Sequence, residues 1–359
     1  MLLARTLSFV AAATIASAVC VQAAESPAVL VYSDDPETLP GDGIILRTPP
    51  LLTRDRPVRL YAYHASGTTA SRRVFLVLRA QAESRVRLVG ASAGPFGEDY
   101  LYAGHVANVD YLEARARDDG TVVALGPGAP AIVPLGASAL AQNDSVVAIY
   151  DLSVVDGGPV SLETVTTSGD TPPAPGSLPV NLLPPDGHER RGAYDLGVVA
   201  PIILVWSALD AQPDEIPVGA GTTFFGTPIA RRLEGPAPVL RGEYGVVRPF
   251  VFNLVNPSAE PRTAYLYAIP PAGNYSDATF WFAGDPAPWP LPCFGPAPVP
   301  YAIRSFDLAP ESSRTVTGDF MTDGGASLPL RLGVTATPPQ APPGPDHCAP
   351  APPPVPGQT

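Results

Sequence analysis

No lysine occurs anywhere in the 359 residues; all 22 basic side chains are arginine. With 47 prolines and 33 glycines alongside, that bias reads as the imprint of GC-rich coding, not as selection for guanidinium chemistry. Positive charge is also short overall, the formal net charge being -12. Phosphate backbones need a basic face, so nucleic acid is excluded as a general partner, and the acidic balance favours solubility. Past the apolar run from Thr6 to Val21, no stretch approaches the roughly 20 residues of a membrane span, and no span is expected. Histidine is scarce. His64, His105, His188 and His347 stand far apart, none paired at metal-ligand spacing, so neither metal nor cofactor is expected from the sequence.

What is present begins with an export signal. Arg5, the run from Thr6 to Val21 and the small-residue pattern Val21-Gln22-Ala23 mark residues 1–23 as a cleavable signal peptide, which places the mature chain in the periplasm or outside the cell. Ser17-Ala18-Val19 ahead of Cys20 does not form a lipidation motif. Cleavage leaves Cys293 and Cys348 in an oxidising compartment, and a disulfide between them is the simple expectation. It would staple the tail to the second domain, a contribution of about 4 kcal/mol by loop entropy. Two unpaired thiols are the alternative.

The chain repeats itself. Val154 to Thr167 (VVDGGPVSLETVTT) and Met321 to Ala336 (MTDGGASLPLRLGVTA) share an Asp-Gly-Gly turn followed by a strand, and Tyr61–Leu78 can be laid on Phe250–Tyr267. Short alternating strands separated by Gly, Pro and Asp turns fill both halves, the pattern of antiparallel sheets with one wet face. The reading is all-β: two tandem immunoglobulin-like β-sandwiches from an internal duplication. The first spans 24–167, with one short helix over His105–Arg117 capping its end. A stiff proline-rich linker covers 168–187, the second sandwich spans 188–337, and 338–359, with ten prolines in 22 residues, is a disordered tail.

Candidate chemistry is thin. Gly90-Ala91-Ser92-Ala93-Gly94 matches the G-x-S-x-G elbow of hydrolases, but Pro95 follows and no helix starts, so the segment reads as a turn. Asp34, Asp35, Glu37 and Asp42 fit no calcium loop and read as a solvated turn. Gly219-Ala220-Gly221 is too short for a dinucleotide loop. Nine arginines between Arg47 and Arg87, against Asp55 and Glu83 alone, suggest an anion face in which Arg59, Arg73, Arg85 and Arg87 would take part. Eleven acids lie between Ala91 and Asp170, however, and cross-strand pairing with them is the leading reading. Trp289, with Phe294 near it in the proline-rich loop from Gly284 to Pro300, is a candidate recognition residue, because an aromatic on a stiff loop binds with little entropic loss.

The runs GPFGEDYLYAGHVANVDYL (Gly94–Leu112), YDLSVVDGGPVSLETV (Tyr150–Val165) and RTVTGDFMTDGGASLPLRLGV (Arg314–Val334) resemble uncharacterised exported bacterial proteins built of tandem immunoglobulin-like sandwiches, the last two as a shared closing hairpin. The resemblance implies a non-enzymatic envelope or extracellular role. The function expected is a spacer, adhesion module or surface-assembly subunit, joined to a protein partner or to itself through edge strands. A glycan-binding or anionic-polymer-binding protein is the alternative. An enzyme at the domain junction is the third reading, which acids or histidines converging there with shifted pKa values would favour.

Overall fold

The computed structural model describes residues 27, 29–97, 99–187, 190–210, 214–218, 232–234 and 243–342. The signal segment, His188, Gly219-Ala220-Gly221, His347 and Cys348 therefore lie outside the described residues. The protein is all-β with one helix, as its alternating pattern implies. The first half contains β1 (Val29–Ser33), β2 (Thr38–Leu39), β3 (Gly43–Arg47), β4 (Val58–Ser66), β5 (Arg72–Ala80), β6 (Ser84–Phe96), the helix α1 (Tyr100–Ala116), β7 (Gly120–Leu125), β8 (Ala131–Leu140), β9 (Ser145–Gly157) and β10 (Val160–Ser168). The second half contains β11 (Arg191–Asp195), β12 (Ile202–Ser207), β13 (Asp214–Val218), β14 (Arg232–Glu234), β15 (Arg248–Asn256), β16 (Arg262–Ile269), β17 (Ser276–Phe282), β18 (Trp289–Phe294), β19 (Tyr301–Leu308), β20 (Ser312–Thr322) and β21 (Leu330–Thr335).

The duplication is explicit in the sheet order. In the first sandwich β1-β4-β9-β6-β7 faces β3-β10-β5-β8; in the second, β12-β15-β20-β17-β18 faces β13-β21-β16-β19. Pairing sense matches strand for strand along these orders, including the parallel pairs β1 on β4 and β12 on β15; the short β2 adds a second parallel pair to β4. Each sandwich closes over its own core, with Leu60, Leu76 and Leu88 in the first and Phe250, Phe280 and Phe320 in the second. Laying Tyr61 on Phe250, however, is one residue out of register. Tyr61 faces the junction between the sandwiches, whereas Phe250 faces its own core. The strand starts coincide instead when Val58 is laid on Arg248 and Arg72 on Arg262; a slip of one reverses every side chain. The Asp-Gly-Gly turns also do not close hairpins. Each carries the chain across from one sheet to the other, β9 to β10 and β20 to β21.

Strand β1 lies within the acidic stretch that otherwise reads as turns, and β8 and β18 escape the sequence pattern because prolines interrupt them. Pro134, Pro290 and Pro292 are tolerated because both strands are sheet edges, where a missing N–H breaks no ladder. The G-x-S-x-G segment is strand, not turn: β6 runs unbroken through Gly90–Gly94 and pairs with β9. At Gly90, with φ +151°, an added Cβ would stand 2.1 Å from the Ile149 carbonyl oxygen, which explains the glycine without invoking a nucleophile.

The helix does not cap an end. α1, opened by Asp99 accepting from the Tyr102 amide, lies between the two larger sheets, and both flanks are buried: Ala103, Ala107 and Tyr111 on one, Gly104, His105, Asn108 and Leu112 on the other. Of the helix side that carries Val106, Val109, Leu112 and Ala116, only Leu112 is buried; Val106 and Val109 are half-buried and Ala116 is exposed. A third apolar cluster forms here, joining Leu30, Tyr32, Tyr61 and Ile149 of the first sandwich to Val246, Val247 and Met321 of the second. The tyrosines stack across it, Tyr32 on Tyr61 at 5.0 Å and Tyr61 on Tyr244 at 6.3 Å between ring centres.

The two sandwiches are thus fused, not strung on a spacer. The 168–187 stretch runs along the first sandwich, with Leu178 buried beside Ile44 and Phe75 and Leu182 bridged to Ile44. β11, within the span read as the second domain, adds to β1 at the edge of the first sheet. The beginning of the tail is ordered as well: the Ala302 amide donates to the Gln340 carbonyl (2.7 Å).

Candidate functional site

The arginines between Arg47 and Arg87 are largely consumed within the fold. Arg59 is fully buried, donating to both oxygens of Asp151 (2.7 and 3.1 Å) and to the Gly245 carbonyl. Arg73 meets Asp170 at 2.6 Å and Arg87 meets Asp118 at 2.8 Å, while Arg47 and Arg79 share Glu163. Arg85 is exposed on β6. The four candidate residues form no common face: Arg59 points into the junction, Arg73 to the 136–137 carbonyls, Arg87 to the end of α1.

Trp289 sits on strand β18, not in a loop, and is 42% exposed. Arg304 lies over its ring at 5.4 Å and over Phe282 at 4.6 Å, held by an ion pair with Asp285. Phe294 is withdrawn from any recognition role, being fully buried against Tyr301. Cys293 is buried beside it, and its prospective partner Cys348 lies outside the described residues.

Asp34 and Asp35 are buried, not solvated. Asp34 pairs with Arg190 at 3.0 Å and Asp35 accepts from the Asp186 amide, while Glu37 meets Arg190 at 2.5 Å. Burial, only partly offset by Arg190, holds the Asp34 carboxyl well above the ordinary carboxylate range. Deeper in the first sandwich, His64 Nδ1 donates to the Pro36 carbonyl (3.0 Å), leaving Nε2 to accept from Ser33, whose hydroxyl lies 2.7 Å from Thr164. This serine–histidine pair has the distances of a nucleophile and base, but both residues are fully buried and no substrate can reach them. Burial pulls the His64 imidazole down to about 4, so it is a neutral structural group.

The densest chemistry lies at the junction. His105 from α1, Asp277 from β17 and Asp323 from the second Asp-Gly-Gly turn place one ligand-type atom each within 4.8 Å of one another, all three residues buried. His105 Nδ1 donates to Asp323 Oδ2 at 2.5 Å; Asn108 Nδ2 and Thr279 Oγ1 donate to Asp323 Oδ1 at 2.6 and 2.9 Å. Asp277 Oδ1 accepts from the Cys293 amide at 3.0 Å. Burial, reinforced by the neighbouring Asp323, pushes the Asp277 carboxyl up to about 7. Burial pulls His105 down, but Asp323 outweighs it and the imidazole ends above the ordinary histidine range.

Sequence reasoning passed over this cluster because its members are far apart in the chain, although the Asp-Gly-Gly repeat did single out Asp323. Its counterpart Asp156 is exposed, pairing with Arg54 and accepting from the Gly157 amide, so the two turns have diverged. Convergence of acids and a histidine at the junction is what an enzymatic reading calls for. Yet the groups are closed in by both sandwiches, which suits a structural cross-link better than turnover. A cleft elsewhere, lined by Glu215, Tyr267, Val299, Pro300 and Gln340, holds a Tyr267–Glu215 hydrogen bond of 3.1 Å and no nucleophile–base pair.

No protein-family model and no curated protein matches the chain. Among solved structures it is similar to Lac15 from a marine microbial metagenome (15% identity, 77% of this chain and 52% of that one, TM-score 0.13). It is also similar to the PBSX exported protein XepA (10%, 82% and 87%, 0.19). A third likeness is to the CBM22-1–CBM22-2 tandem domain of Paenibacillus barcinonensis Xyn10C (9%, 88% and 91%, 0.16). The chain spans about half the length of Lac15. At such low superposition scores none of these likenesses bears on activity. No helix among the described residues is long and apolar enough to cross a membrane.

Proposed function

We propose that this chain is a non-enzymatic exported structural or interaction protein, periplasmic or extracellular, which assembles by strand addition at the edge of β12. The carrying observation is on β12 itself. Ile202, Leu204 and Trp206 face the second core, whereas Ile203 (56% exposed) and Val205 (59%) point outward, with Val198 and Leu209 exposed near them. Among the described residues β12 pairs with β15 and with no strand on its other side. Its twin β1 has the corresponding edge filled: β11, from the following repeat, pairs antiparallel along the whole of β1, Val29 to Ser33. An apolar edge with unpaired backbone groups templates another chain. The occupant proposed for β12 is an antiparallel strand of a second copy, as β11 is for β1.

Light scattering after size exclusion tests this on the purified protein. Oligomers should grow with concentration and be lost in Ile203→Lys and Val205→Lys, whose side chains leave the core untouched. A wild-type protein that stays monomeric at high concentration would sink the reading.

A second reading is glycan binding at Trp289, favoured by its exposed ring and by the Arg304 stack that fixes it. It expects Trp289→Ala to abolish retention on a polysaccharide array; unchanged retention removes that residue from the case.

A further inference from the structure

We propose that His105, Asp277, Asp323 and Asn108 form a divalent transition-metal site that locks the two sandwiches together. Three independent observations support it. First, the donor set is right: one imidazole nitrogen and two carboxylate oxygens, drawn from three elements, lie within 4.8 Å of one another, the mixture zinc takes at about 2.0–2.2 Å. Second, Asn108 follows His105 by three residues, so α1 turns both side chains to the same side. The Asn108 amide nitrogen donates to Asp323 Oδ1 and to the Thr322 carbonyl, yet its own Oδ1 is fully buried with no hydrogen-bond partner among the described residues. A buried amide oxygen left unpaired against a carboxylate cluster is costly and is the kind of neutral donor that completes a coordination sphere.

Third, without a metal the two carboxylates are balanced only by protons. Asp323 is met by His105, Asn108 and Thr279, and Asp277 by a backbone amide; of these only His105 can carry positive charge. Two carboxylates sealed in an apolar junction require pairing, and a doubly charged ion bound with neutral imidazole brings the set to zero. The ion would tie α1, which belongs to the first sandwich, to β17 and the 323–325 turn of the second. Its role is a cross-link, since the buried groups leave no room for substrate. Both carboxyl groups bind as carboxylates, so protons held by the cluster are released as the metal enters.

Zinc chloride titrated into chelator-treated protein tests the assignment by calorimetry and by elemental analysis after gel filtration. The expected result is one zinc per chain and a raised Tm, with proton release that shows as a buffer-dependent heat. Asp277→Asn keeps the His105–Asp323–Asn108 hydrogen bonds, so it should fold and bind zinc at least tenfold more weakly. Asp156→Asn, at the exposed counterpart in the first Asp-Gly-Gly turn, should bind as wild type does. If chelator-treated wild type takes up neither zinc nor manganese and its Tm does not move, the cluster is a hydrogen-bonded clamp only and the proposal falls. Undiminished binding by Asp277→Asn would equally overturn it. Assembly at β12 is read separately by light scattering, so either idea can fail alone.

Discussion

Gly104 of α1 rests directly on Gly324: a Cβ added to Gly104 would stand 2.1 Å from the Gly324 carbonyl oxygen and 2.5 Å from its nitrogen. Backbone meets backbone there, and that contact is what allows His105, the next residue, to reach Asp323, the residue before the second glycine.

Replacing Gly104 by alanine sets two effects against each other. Helix propensity favours alanine by about 1 kcal/mol, but the new methyl has rigid backbone in its way, and overpacking of this kind costs about 1–3 kcal/mol. Gly104→Ala should therefore lower the denaturation midpoint in urea, and a midpoint equal to or above wild type would show that the helix can shift without loss.

Arg59 is sealed beneath the junction and binds Asp151, which also accepts from Tyr111 at 2.9 Å. Truncation to alanine takes the cation from the Asp151 carboxylate and the donor from the Gly245 carbonyl, so Arg59→Ala should destabilise by about 3–5 kcal/mol. Arg59→Met, with Asp151→Leu to remove the partner's charge, should recover much of that loss. Chemical unfolding of the three proteins measures both, and equal stability of the single and double variants would refute the pairing account.

His64 gives the first sandwich a pH dependence of known sign. Its imidazole is held down at about 4 by burial, below the unfolded value of about 6.5. The neutral ring therefore stabilises the fold above pH 6.5, and that contribution is lost as pH falls through the window toward 4, a change on the order of 3 kcal/mol. In His64→Gln the slope of stability against pH between those values should flatten; an unchanged slope would assign the acid sensitivity elsewhere.

Cys293 and Cys348 should appear as one linked peptide pair in a non-reduced digest. Breaking the pair by Cys348→Ala should lower stability by up to about 4 kcal/mol. Two free thiols in the native protein would rule the staple out.

Much of this architecture is legible in the residues. The strand Tyr301–Leu308 has the bounds its alternation predicts, and the Asp-Gly-Gly turns mark the duplication because a sharp passage between sheets needs residues that tolerate unusual backbone; Gly157 and Gly325 take φ values of +97° and +85°. Edge strands such as β18 were hidden for the opposite reason, since prolines that would break an inner strand are harmless there. Asp34 and Asp35 misled because their charge announces solvent, whereas partners distant in the chain, Arg190 for Asp34 and the Asp186 amide for Asp35, meet them in the interior.

The sequence by itself determined that this is an acidic all-β protein with two sandwich repeats, because a period of two residues fixes which side chains share a sheet face. It could not say what covers that face. Tyr61 and Ile149 belong to a shared core, and Ile203 and Val205 to a strand with no second neighbour among the described residues, only because of how the second sandwich packs on one larger sheet. The meeting of His105 with Asp277 and Asp323 was decided the same way, by one helix held between two sheets, which brings together residues whose separation along the chain carries no signal of contact.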